Sequence, residues 1–233
     1  MHTANRTARI AGLLYLLVAI TGAFSIMYVP GVLIVPGDAA ATAKNILASE
    51  TLFRIGMVSE LTSSVLFIFL AWALYRLLSG VNTSHASLMV ILALIIVPIA
   101  FVIVVNDLAA LTLLRGADFL SVFDRRQLEA LAMLFLRLHR YGFVVNAIFW
   151  GLWLFPFGVL VMRSRFLPRI LGVLLILACF AYLTGSLTSL LLPRYGSVVN
   201  EYALIPEAVG ELSSALWLLI KGVKVSPLPV AAS

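Results

Sequence analysis

Glu60 stands in the stretch Arg54-Ile55-Gly56-Met57-Val58-Ser59-Glu60-Leu61-Thr62-Ser63-Ser64-Val65-Leu66, within an apolar run long enough to cross a bilayer. Three other runs carry a comparable polar group: Asp107, Asn146 and Glu211. At a rise of about 1.5 Å per residue, Glu60 and Asn146 fall about 12 Å, and Asp107 and Glu211 about 10 Å, inside the outer ends of their runs. An ionised group facing lipid costs several kcal/mol, so such groups are expected to face each other, the bundle interior or water. Arg54, Arg140, Arg137 and His139 lie nearer the outer rim, where they could pair with the carboxylates. Helical spacing gathers Gly56, Glu60, Ser63 and Ser64 on one face, and Glu207, Gly210, Glu211 and Ser214 on another. His139, Phe143 and Asn146 share a third. The candidate ligand-binding residues are therefore Arg54, Glu60, Ser64, Asp107, His139, Arg140, Asn146 and Glu211, lining a polar pocket; the bland alternative is a set of interhelical contacts that fix the packing.

Specific catalytic chemistries find little support. A metal site is conceivable from Glu60, Asp107, His139 and Glu211, but the spans hold a single His, with no His-Glu-x-x-His pattern and no Cys pair, so neither a metal nor a cofactor is expected. A nucleophile would have to be Ser63 or Ser214 with His139, outside any Gly-x-Ser-x-Gly context. The lone Cys179 excludes a disulfide framework.

The elements that must position these groups are membrane helices. Hydrophobic residues make up 63% of the 233 and charged residues 11%, with a mean hydropathy of +1.11, which excludes an ordinary water-soluble domain. The net charge of +6 points to membrane orientation rather than nucleic acid. Apolar runs predict an all-α polytopic bundle of about six transmembrane helices, with short amphipathic interfacial helices, forming a single domain over 1–225 and a disordered tail over 226–233. The spans fall at about 10–29, 52–78, 86–114, 138–162, 170–192 and 203–223. Pro30-Gly31 and Pro36-Gly37 read as a turn-rich link, Asp38 as an N-cap, Asp124 with Gln127 as a capping box, and 193–202 as a loop. With both termini in the cytoplasm, the inner segments carry Arg6, Arg9, Arg76, Arg163, Arg165, Arg169, Lys221 and Lys224 and no acidic residue.

The spans then pair as three sequential helical hairpins, 6–80, 86–163 and 165–224. Arg9-Ile10-Ala11-Gly12-Leu13-Leu14 and Arg169-Ile170-Leu171-Gly172-Val173-Leu174 open the first and third alike. Their second helices place Glu60 and Glu211 at matching points, with Asn146 the counterpart in the middle unit.

The opening Arg9-Ile10-Ala11-Gly12-Leu13-Leu14-Tyr15-Leu16, the group Asp38, Thr42-Ala43 and Asn45-Ile46, and Leu167-Pro168-Arg169-Ile170-Leu171-Gly172 carry a resemblance. Gly210-Glu211-Leu212 with Leu216-Trp217-Leu218-Leu219-Ile220-Lys221-Gly222-Val223 completes it. Together they resemble the multipass family known as domain of unknown function 4386. The resemblance implies a bacterial inner-membrane protein and brings no reaction, ligand or catalytic residue. The expected function is binding of a small molecule, lipid or ion in an outward-facing pocket, with the bilayer as the general partner. The alternatives are an assembly protein that docks a partner through the amphipathic segment 124–137, and an intramembrane enzyme using a carboxylate base.

Overall fold

The computed structural model describes residues 2–223; the expected disordered tail at 226–233 lies outside them. Helix α1 (His2–Ala23) passes through a π-helical turn (Phe24–Tyr28) into α2 (Val29–Leu33). Here the expected turn at Pro30-Gly31 is corrected. Pro30 sits in the first turn of α2, where a missing N–H costs little, and the wider π turn before it keeps the chain helical to Leu33. The chain reverses instead over 34–38, where Gly37 has φ +82°. Thr42 closes this link: its hydroxyl accepts from the Val35 N–H at 2.9 Å and lies 2.8 Å from the Asp38 carbonyl. Asp38 caps α3 (Ala39–Ala48), its carboxylate accepting from the Ala41 N–H at 2.8 Å.

Helices α4 (Glu50–Leu78), α5 (Thr83–Arg115), α6 (Arg125–Arg163), α7 (Arg169–Leu191) and α8 (Pro193–Ile220) follow, with a 3-10 turn at Asp118–Leu120. No strand occurs among the described residues. The expected amphipathic segment and fourth span are one unbroken helix, α6, of 39 residues. Its start is a reciprocal capping box. The Asp124 N–H donates to Gln127 Oε1 and the Gln127 N–H donates to Asp124 Oδ1, both at 2.9 Å. Asp124→Ala should cost about 1 kcal/mol in thermal unfolding of the detergent-solubilised chain; an unchanged midpoint would show that packing alone starts α6.

The expected loop at 193–202 is also corrected, because α8 begins at Pro193. Proline suits the first helical turn. Asn200 then donates to both Ser189 Oγ and the Gly196 carbonyl at 2.8 Å, tying this turn to the end of α7. Counting α1 to α2 as one span, six helices among the described residues are long and apolar enough to cross a membrane. Large exposed side chains such as Ile20, Phe69, Trp72, Val102, Phe180 and Ile205 are apolar, as lipid contact requires.

The chain forms two compact units. Among the described residues the first comprises 2–16, 69–93 and 148–223. Its buried side chains include Leu70, Leu74, Met89, Trp153, Phe157, Leu175 and Leu218. Helices pack closely here through glycine. A Cβ on Gly158 would lie 2.7 Å from the Gly172 carbonyl oxygen, and one on Gly172 would lie 2.5 Å from that of Gly158. Gly12 meets the backbone of α8 in the same way, its Cβ position 2.8 Å from the Ala215 carbonyl oxygen. The α8 end is closed by Gly222 at φ +64°, whose N–H donates to the Trp217 carbonyl.

The second unit comprises residues 17–68 and 94–147. Its core joins Val29, Leu33, Ile46, Phe53, Met57, Val104, Leu111 and Leu136. Ser59 and Ser63 on α4 donate to the Thr21 and Val18 carbonyls of α1 at 3.0 and 3.1 Å, and Gly56 packs on Val29.

Candidate functional site

Three helices of the second unit each contribute one group to a buried polar cluster. Glu60 comes from α4, Asp107 from α5 and His139 from α6. Glu60 stands on a small and hydroxylated face of α4, where Ser63 is bonded to α1 and Gly56 packs on Val29 of α2. Ser64, one turn further, donates its hydroxyl to the Glu60 carbonyl at 3.0 Å. His139 lies between the two carboxylates. Its Nδ1 is 2.8 Å from Asp107 Oδ1 and its Nε2 is 3.4 Å from Glu60 Oε2. The shorter contact is an ion-pair contact in which Nδ1 makes no hydrogen bond of acceptable geometry. Glu60 Oε1 is likewise buried with no hydrogen-bond partner. One ligand atom from each of the three residues falls within 4.8 Å of the others. The side chains are 6% (Glu60), 11% (Asp107) and 13% (His139) exposed, so the cluster is nearly dry. Phe143, one turn along α6, tilts against the imidazole with ring centroids 4.8 Å apart.

The remaining candidates are placed differently. Asn146 is fully buried and donates to the Ile96 carbonyl at 3.2 Å, two residues before Pro98, leaving its Oδ1 unpartnered. Arg54 turns back to Glu50 at 2.7 Å, and Arg115 joins the same carboxylate at 3.1 Å. The Arg140 guanidinium lies 5.9 Å from the Tyr141 ring centroid. Of the rim cations expected beside the carboxylates, His139 is the one that meets Glu60 and Asp107.

Glu211 belongs to the first unit and has its own partners. Tyr182 on α7 donates to Glu211 Oε1 at 2.6 Å, and Tyr15 on α1 donates to Oε2 at 2.8 Å. Both carboxylate oxygens are thus engaged, and three helices are joined through one side chain. Aromatic rings pack around this contact: Tyr15 with Trp153 at 6.0 Å and Tyr182 with Trp150 at 6.1 Å between centroids. Sequence reasoning missed both tyrosines. Their signal was available, because a phenol inside an apolar span needs an acceptor and Glu211 is one.

Six spanning helices, lipid-type outer surfaces and ionisable groups turned inward define an integral, multipass membrane protein. A family model described as Domain of unknown function (DUF4386) matches residues 10–222, nearly the whole chain, and the protein belongs to that family. An "Uncharacterized protein" of Archaeoglobus fulgidus is 37% identical over 79 residues, which are 34% of this chain and 45% of that protein. The aligned part therefore spans less than half of that relative's length. No solved structure matches.

Proposed function

We propose that this membrane protein binds a small cation in the Glu60–Asp107–His139 cluster. The observation that carries the reading is convergence without satisfaction. Two carboxylates and an imidazole from three helices meet in a dry setting, yet Glu60 Oε1 has no partner. Buried polar groups are ordinarily paired, and a cluster that only fixed packing would be expected to close its hydrogen bonds, as Glu211 does with its two tyrosines. Two carboxyl groups and an imidazole gathered in one low-dielectric cluster form a donor set suited to a cation.

The charge distribution supports cytoplasmic termini. With that orientation the cluster lies roughly 12 to 15 Å inside the outer ends of α4 and α5. The test is thermal unfolding of the purified, chelator-treated chain in detergent, with Na⁺, Ca²⁺, Mg²⁺, Mn²⁺ and Zn²⁺ added singly. At least one cation should raise the midpoint by several degrees, as binding to the folded state alone requires. That shift should vanish in Asp107→Asn and Glu60→Gln. If no cation moves the wild-type midpoint, the cluster is a packing element and the proposal fails.

A further inference from the structure

We infer that the cation is a divalent transition-metal ion of the zinc class, held by one carboxylate oxygen each from Glu60 and Asp107 and one ring nitrogen of His139. This inference rests on the cation-binding reading and adds the identity of the ion. Charge is its first support, since one divalent ion cancels two carboxylates and leaves a neutral imidazole as the third donor. Donor type is the second. Imidazole nitrogen suits zinc, iron, nickel and copper, whereas calcium takes six to eight oxygen ligands and magnesium retains much of its water shell. The four carboxylate oxygens of Glu60 and Asp107 are too few for a calcium cage, and the near-dry setting is poorly suited to a hydrated magnesium ion.

Geometry is the third support. Metal–ligand bonds of about 2.0–2.2 Å in a tetrahedral set place donors about 3.3–3.6 Å apart. The three donors already lie within 4.8 Å of one another, so side-chain rotation closes the difference with the helices in place. The unpartnered Glu60 Oε1 and His139 Nδ1, which makes no hydrogen bond of acceptable geometry, are atoms that gain a partner when an ion enters. Three protein ligands leave one position open on a four-coordinate ion.

The test is titration of the full chain in nanodiscs, stripped with chelator, with Co²⁺ as the spectroscopic probe. We expect a visible d–d band saturating at one equivalent and displaced by Zn²⁺. His139→Gln and Asp107→Asn should each weaken Co²⁺ binding by at least about tenfold, while Glu201→Gln, an exposed carboxylate elsewhere, should leave it unchanged. X-ray absorption of the Zn²⁺-loaded wild-type chain should show imidazole back-scattering, a readout that does not depend on any variant folding. Stabilisation by Na⁺ or Ca²⁺ without a cobalt band would overturn the metal assignment and leave the cation reading standing. Silence from every cation would overturn both. A cobalt band that survives both substitutions, or zinc without imidazole scattering, would place the ion elsewhere and overturn the assignment.

Discussion

Gly172→Leu should prevent stable folding, with a loss of about 3 kcal/mol or more and aggregation on size-exclusion chromatography in detergent. The cause is backbone against backbone. A Cβ at position 172 would stand 2.5 Å from the Gly158 carbonyl oxygen and 3.0 Å from the Met162 nitrogen, and neither atom can turn aside as a side chain would. Overpacking into flexible side chains costs about 1–3 kcal/mol, and a rigid neighbour sets this site at or above that range. Gly142→Ala is the contrast. Its Cβ would meet Ile103 Cγ1 at 2.5 Å, within a side chain that has other rotamers, so a smaller loss is expected. If Gly172→Leu unfolds at the wild-type temperature, the close crossing of α6 and α7 does not hold in the membrane.

The crossing also shows which parts of the fold were legible. Gly12 and Gly172 occupy the same place in two Arg-Ile-x-Gly openings, and each meets the backbone of a neighbouring helix. Span number and helix type followed from apolar run length, because the bilayer leaves the backbone few ways to satisfy its hydrogen bonds. The caps at Asp38 and Asp124 were legible for a similar reason, since each is a local device set by residues three apart. Proline was read less well. Pro30 and Pro193 looked like chain breaks but stand in first turns, where the proline nitrogen has no helical bond to lose.

The candidate site was half legible. Depth counted along the helices put Glu60, Asp107, Asn146 and Glu211 at similar levels, with His139 nearer the outer rim, and of these the structure brings together Glu60, Asp107 and His139. Depth says nothing of azimuth, however. Asn146 shares a helix with His139 yet spends its amide donor on the α5 backbone, and Arg54 is drawn to Glu50 one turn away. An arginine near a helix end has a local partner at i−4 that sequence spacing can reveal, and that pairing should have been weighed before a distant one. Glu211 was grouped with the others because it lay at a similar depth and matched Glu60 in motif. Its two phenol partners come from helices α1 and α7, far apart in sequence, which no local pattern encodes.

Glu211→Leu should destabilise the chain by about 3 kcal/mol, and the reason lies less in the carboxylate than in what it leaves behind. Tyr15 and Tyr182 would each keep a hydroxyl at an apolar position with its acceptor gone, and a stranded buried donor costs about 1–3 kcal/mol. The decisive variant is therefore the triple one. Adding Tyr15→Phe and Tyr182→Phe to Glu211→Leu removes both stranded hydroxyls while keeping the rings that pack on Trp153 and Trp150. Replacing a whole buried polar group by apolar residues is often neutral, so the triple variant should unfold well above Glu211→Leu alone. A triple variant no more stable than the single one would mean that the phenols were never the source of the loss, and that Glu211 acts through its charge. The same triple variant should still bind cobalt as the wild type does, because none of its changes touches Glu60, Asp107 or His139. Loss of cobalt binding there, in a chain that remains folded, would tie Glu211 to the cation and contradict its reading as a closed structural contact.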